Sequence, residues 1–266
     1  MASLAEQQAI LQELHRLGLA DLNELMKRAE EFPDFFQFIV EAFPELVAQY
    51  ATMSAELATL WYDEAAPDLP YLAVPAALPT LEQYAESAKW ALGSNGGAMA
   101  FEKLSGALQR GVWNTARDTT VLNARSERGA RYARHASANA CEFCRMVATR
   151  GAVYTSAATA SGVVGRGKDV STNYDPVTGK RKRGGQAKGV RVRGSQKVGS
   201  KYHDNCRCMA VAVRPGQSYE PPPYVEKWEQ EYVDAVRAAS AAGRTKGEYG
   251  AIDVKAVMAA MRQNAK

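Results

Sequence analysis

All four cysteines of this 266-residue chain, and one of its three histidines, fall in two short motifs, Cys141-Glu-Phe-Cys144 and His203-Asp-Asn-Cys206-Arg-Cys208. Thiolates spaced as Cys-x-x-Cys form a knuckle that chelates one ion, and a second pair from a distant segment completes a tetrahedron. The chemistry on offer is metal binding, and zinc is the ion that takes thiolate and imidazole in tetrahedral array. Five donors compete for four positions. Cys141 and Cys144 supply the knuckle, Cys206 follows, and His203 is favoured as fourth because its spacing lets it chelate beside Cys206. Cys208 is the alternative fourth ligand, since residues i and i+2 of an extended backbone share a side. A four-cysteine site would leave His203 free.

A catalytic zinc needs an open position and a nearby acid or base. Glu142 and Asp204 adjoin the candidate ligands, but neither stands in a His-Glu-x-x-His or a His-x-Glu with Pro-Cys-x-x-Cys context. The reading is a structural site in a protein that is not an enzyme. Met1-Ala-Ser-Leu-Ala-Glu lacks the basic and apolar regions of a signal peptide. No apolar run approaches the roughly 18 to 20 residues that span a bilayer, so no membrane association is expected. In the cytoplasmic setting this implies, paired cysteines signal metal rather than disulfide.

The elements that must position these ligands are mainly helical, with a small α+β zinc-stabilised module between them. Residues 1–64 read as a helical N-terminal region. Ile10, Leu11, Leu14 and Leu17 mark a first helix that ends near Gly18, and Asp21 with Glu24 resembles a capping box that restarts it. Phe36 to Trp61 keep helical apolar spacing, with a kink or break expected at Pro44. A linker at 65–79 carries four prolines, which favours extended chain that either separates two helical blocks or wraps one around the other. The next helical region, 80–140, divides into helices after Thr80, at 98–116 and at 119–134. Short β-strands surround the Cys/His site in 141–214, one of them at Met209-Ala-Val-Ala-Val213, and a C-terminal helical tail covers 215–266.

Charge is distributed unevenly along this plan. Residues 1–140 carry 11 Lys/Arg against 18 Asp/Glu, residues 141–214 carry 15 against 4, and residues 215–266 carry 7 against 7. The net charge of +4 therefore hides a segment at +11 lying between and around the two halves of the metal motif, which suits an anionic partner such as nucleic acid. Within it, residues 165–201 are dominated by Gly, Ser, Lys and Arg and read as a mobile loop around one short strand. Lys180, Arg181, Lys182 and Arg183 form a dense cationic cluster, and Arg191 and Arg193 alternate with apolar residues. Arg125, Arg128, Arg131 and Arg134 recur at steps of three, a spacing that puts them on one helix face able to grip phosphate or an acidic protein surface.

The runs Cys141-Glu-Phe-Cys144-Arg-Met-Val-Ala-Thr-Arg-Gly-Ala-Val-Tyr154 and Lys201-Tyr-His-Asp-Asn-Cys206-Arg-Cys208 together resemble the MuF-like minor head proteins of tailed phages that infect actinobacteria. The likeness is most specific over 131–213 and looser in the helical N-terminus. It implies a minor capsid or head morphogenesis protein, in few copies, associated with the portal inside the head. Such proteins help DNA packaging, retention or ejection. The partners implied are the portal or major capsid protein and packaged double-stranded DNA bound without regard to sequence. The implied location is the virion, after assembly in the host cytoplasm. The family's Cys-x-x-Cys falls on Cys141 and Cys144, and its His-x-x-Cys-x-Cys on His203, Cys206 and Cys208.

Overall fold

Ser3 starts the first helix by accepting from the Glu6 amide while Glu6 reaches back to the Ser3 amide, a complete capping box. In the computed structural model, which describes residues 2–97, 99–149, 151–152, 206–246 and 251–264, this helix, α1, runs unbroken over Leu4–Ala29. It does not end at Gly18. A Cβ there would stand 3.0 Å from Leu108 Cδ2 and 3.2 Å from Tyr50 Cδ2, so the glycine admits two neighbouring helices rather than terminating its own. Asp21 restarts nothing; its carboxylate accepts from the Tyr50 hydroxyl at 2.5 Å.

Helix α2, Phe35–Glu64, is capped by Asp34, which accepts from the Gln37 amide at 2.9 Å, and it continues through the buried Pro44 without a break. A proline removes one backbone hydrogen bond, and the buried face formed by Ile39, Val40, Phe43 and Val47 holds the helix across that gap. Thr80 and Gln83 cap α3, Leu81–Gly93, with a second capping box. A short 3-10 turn at Ser94–Gly97 precedes α4, Ala100–Ser126, a single helix where two shorter ones were expected. Helices α1 to α4 enclose the larger apolar core, with Leu22, Ile39, Phe43, Ala88, Leu104, Leu108, Val112 and Trp113 at its centre. The α2–α4 crossing is close enough that a Cβ on Gly111 would lie 2.6 Å from Val47 Cγ1.

Past Ser126 the chain turns at Gly129, with φ of +86°, and enters β1, Arg131–His135. The expected continuous arginine face on a helix is therefore not formed. Arg125 lies in the last turn of α4, Arg128 in the turn and Arg131 on the strand, all exposed, while Arg134 is buried. Spacing by threes mimics a helix, but β1 finds its partner elsewhere. It pairs antiparallel with β2, Met209–Val213, in the register Arg131↔Val213 through His135↔Met209. Helix α5, Glu142–Ala148, carries the Cys-x-x-Cys motif, and α6, Tyr224–Ala241, and α7, Val254–Asn264, follow β2. Two further two-residue strands, β3 (Thr245–Lys246) and β4 (Ala251–Ile252), pair between α6 and α7. Met146 and Val147 of α5 pack with Ala235, Ala239, Val257 and Met261 in a second core that also takes Tyr62 and Tyr132. Among the described residues the protein is mainly α, with short strands around the cysteines.

The proline-rich linker is a strap. The Ala73 amide donates to Asp63 and the Val74 amide to Asn123 Oδ1, both at 2.9 Å, and the Ala76 amide donates to Thr119 Oγ1 at 3.1 Å. Its backbone polar groups are thus met by side chains of α2 and α4, as chain without its own ladder requires.

The strap, the end of α2, the turn after α4 and the end of β2 meet at Arg214, which is 2% exposed. Its guanidinium forks onto Glu127, with Nη2 to Oε1 and Nε to Oε2 both at 2.9 Å. It also donates to the carbonyls of Ala66 at 3.0 Å and Tyr71 at 2.8 Å. Tyr62 donates its hydroxyl to Glu127 Oε2 at 2.7 Å, and its ring lies 5.0 Å beneath the guanidinium. A buried ion pair is strongly destabilising only when one partner is removed, by roughly 3–5 kcal/mol. Arg214→Met and Glu127→Gln should each lower the unfolding free energy, measured by urea titration, by an amount of that order, and the double variant should lose less than the sum of the two. Gly111→Ala should cost about 1–3 kcal/mol by overpacking against Val47, measured in the same way.

Candidate metal centre

Antiparallel pairing of β1 with β2 decides where the two cysteine motifs meet. The ribbon's His135↔Met209 end lies just before the Cys141 turn and immediately after Cys208, so the strands deliver both halves to one point. Cys144, Cys206 and Cys208 are buried there, with ligand atoms all within 4.8 Å of one another. The Cys144 and Cys206 sulfurs are 3.4 Å apart, and all four cysteines are free thiols. Zinc–sulfur bonds of about 2.3 Å in a tetrahedron put sulfurs roughly 3.8 Å apart, whereas a disulfide needs about 2.05 Å. The thiols stand near metal-ligand spacing. Three buried cysteines are close enough to bind one ion, and Cys141, half-buried at the start of α5, hydrogen-bonds with Cys144 and packs on the same cluster. His203 lies outside the described residues.

Each wall of the site has a local cause. Ala136, Ala140, Ala148, Val225 and Trp228 surround the thiols. The Tyr224 hydroxyl donates to the Ala136 carbonyl at 2.8 Å, tying α6 to the turn before the knuckle. Arg145, inside the Cys-x-x-Cys helix, donates to the Ala140 carbonyl at 2.7 Å, lies 5.7 Å from the Trp228 ring centre and pairs with Glu231 at 3.5 Å. Glu142, the acid beside the knuckle, is held in an ion pair with Arg262 of α7. It is thus turned to bracing the helix, and Asp204 lies outside the described residues.

On the opposite side, side chains of the helical core fix the Cys206-Arg207-Cys208 turn through three successive carbonyls. Arg117 Nη2 donates to the Cys206 carbonyl at 2.6 Å, Gln8 Nε2 to the Arg207 carbonyl at 2.8 Å, and Arg117 Nε to the Cys208 carbonyl at 2.7 Å. Sequence reasoning missed Arg117 and Gln8. The only signal was an arginine set among the small and apolar positions Val112, Trp113, Ala116 and Thr120 of an otherwise buried helix face.

Electrostatics within the cluster are uneven. Cys206 is held far below the ordinary thiol range because it accepts from Cys144 and Cys208 and lies near the Arg117 charge. Cys144 is pushed up by hydrogen bonding to Cys141, Cys206 and Cys208 and by burial. The cationic candidates Lys180, Arg181, Lys182, Arg183, Arg191 and Arg193, the 165–201 loop and its strand lie outside the described residues.

A helical platform thus pins a two-stranded ribbon whose end carries three buried cysteines close enough to bind one metal ion. The chain belongs to the VG15 family of phage proteins: the family model, described as VG15 protein, matches residues 1–235. No curated protein and no solved structure matches it. The phage origin implied by the sequence resemblance therefore holds. Nothing in the family match or in the described residues indicates catalysis, and no described helix is long and apolar enough to cross a membrane.

His15 of α1 offers a pH probe of this region. Burial, and then the nearby Arg207 charge, hold its imidazole below the ordinary value. An unfolded histidine takes up a proton near pH 6.5 and the folded one resists it, so this contribution to stability is full above about pH 6.5 and is lost as the pH falls below. Urea unfolding should show a lower midpoint at pH 5.5 than at pH 7.5, and His15→Gln should flatten that difference.

Proposed function

We propose that this phage protein is a minor capsid or head morphogenesis protein of the MuF-like type, associated with the portal inside the head. In this reading a structural zinc closes the cysteine cluster and the basic segment faces packaged DNA. The observation that carries it is the convergence of buried Cys144, Cys206 and Cys208 at the root of the +11 segment. Cys141, Cys144 and Cys206 would hold the ion, with Cys208 as the fourth ligand; His203 is the competing fourth. Buried Cys208 in the cluster supports the four-cysteine set. Zinc, when bound, supplies a crosslink between α5 and the turn before β2.

The remaining parts of the reading follow from charge. A long basic segment anchored at both ends to a rigid platform can lie along phosphates and gain affinity by releasing counterions, with no base contacts required. Arg125, Arg128 and Arg131, exposed around the end of α4, lie on the platform itself and extend the same cationic character. The acidic helical region, residues 1–140, is the part that docks onto the portal or major capsid protein.

Elemental analysis of the purified protein should find about one zinc per chain, and Cys144→Ser should lose it. Duplex DNA should bind without sequence preference and weaken steeply with salt. Replacing Lys180, Arg181, Lys182 and Arg183 by alanine should lower the log–log salt slope by roughly 3 to 4. Site-specific binding would instead favour a host-directed nucleic-acid module, and absence of the protein from purified virions would defeat the head assignment.

A further inference from the structure

Arg117 is 3% exposed, placed at the seam between the four-helix core and the cysteine turn. Its guanidinium is engaged on three sides: Nε on the Cys208 carbonyl at 2.7 Å, Nη2 on the Cys206 carbonyl at 2.6 Å, and Nη1 on Asn114 Oδ1 at 2.8 Å. A guanidinium remains charged inside a protein, and the Asp118 carboxylate next in the chain feels the Arg117 charge. A buried charge is tolerated where charge of the opposite sign stands near it. The two carbonyl contacts hold that charge beside both cysteines of the second motif, where thiolates would stand as a source of negative charge.

A divalent ion on three or four thiolates leaves the centre with net negative charge, in a pocket walled by alanines, Val225 and Trp228. We infer that Arg117 is the positioning residue and charge complement of the metal centre: it fixes the backbone of both cysteines of the second motif and offsets the anionic charge that the bound ion leaves on them. The inference rests on the proposed metal site and adds to it a residue of the helical platform, distant in sequence from every ligand. The two roles are separable in chemistry. Lysine keeps the charge but cannot fork onto two carbonyls, whereas methionine keeps much of the length and loses both donors and charge.

The test uses the full chain and cobalt(II) or zinc ions in competition with a chromophoric chelator. Arg117→Met should bind metal 10- to 100-fold more weakly than the parent and release it faster, as loss of an outer-shell partner does elsewhere. Arg117→Lys should fall between the two. The sulfur-to-cobalt charge-transfer band should keep its intensity at saturation, since the ligands themselves are untouched, and far-ultraviolet dichroism reports whether the helices survive. Parent-like affinity and release in both variants would overturn the inference while leaving the metal site standing. A parent that takes up no metal would overturn the site and this inference together. Should Arg117→Met fail to fold, Arg117→Lys decides alone: parent-like affinity and release rejects the paired carbonyl clamp, and weaker binding supports it.

Discussion

The Arg214–Glu127 pair is the interaction on which the arrangement of the chain most depends. Apolar burial explains why α1 to α4 associate, but burial is non-directional and does not specify how the strap, the end of α4 and the exit of β2 meet. A guanidinium fork, a shared tyrosine hydroxyl and backbone carbonyls from two segments do specify it. Because neither charge can be left alone out of water, this geometry forms as a unit. The β1–β2 register is set between two constraints: Arg214 anchors the exit of β2, and Arg117 anchors its entrance at Cys208.

Prior organisation of this kind changes what an ion would do. In isolated zinc fingers the metal supplies most of the folding free energy, on the order of 10–16 kcal/mol, because the apo chain is unfolded. Here the ribbon, the carbonyl clamp and the contacts of α5 with α6 and α7 already bring both cysteine segments together. An ion bound here would join a centre whose two halves are held by the scaffold around them. It would add stiffness and charge to a site whose walls are in place.

Much of the architecture was readable from the chain. Apolar positions at helical spacing gave the helices of 1–64, the capping residues Ser, Asp and Thr sit where helices begin, and four prolines excluded a helix from the strap. Cysteine spacing located the candidate centre. Three features were hidden, each for a physical reason. Gly18 and Pro44 are local breakers that tertiary packing overrides. β1 carries arginines at a helix-like period, and its partner strand lies far along the chain, where no local pattern can reveal it. Arg117 and Arg214 are read by default as solvent-exposed, because arginine is almost never buried unless paired, and pairing is a property of the fold rather than of the sequence.

The family match ends at residue 235, inside α6, which continues to Ala241. The physical unit does not end there. Ala239, Val257 and Met261, all beyond that point, close the apolar contact around Met146 and Val147, and Arg262 reaches back to Glu142 between the two knuckle cysteines. A fragment cut at the boundary of the family would leave the rear of α5 as an open oily face beside the thiols. Sequence kinship and mechanical integrity thus draw different borders in this molecule, and the wider one is set by what must be kept dry.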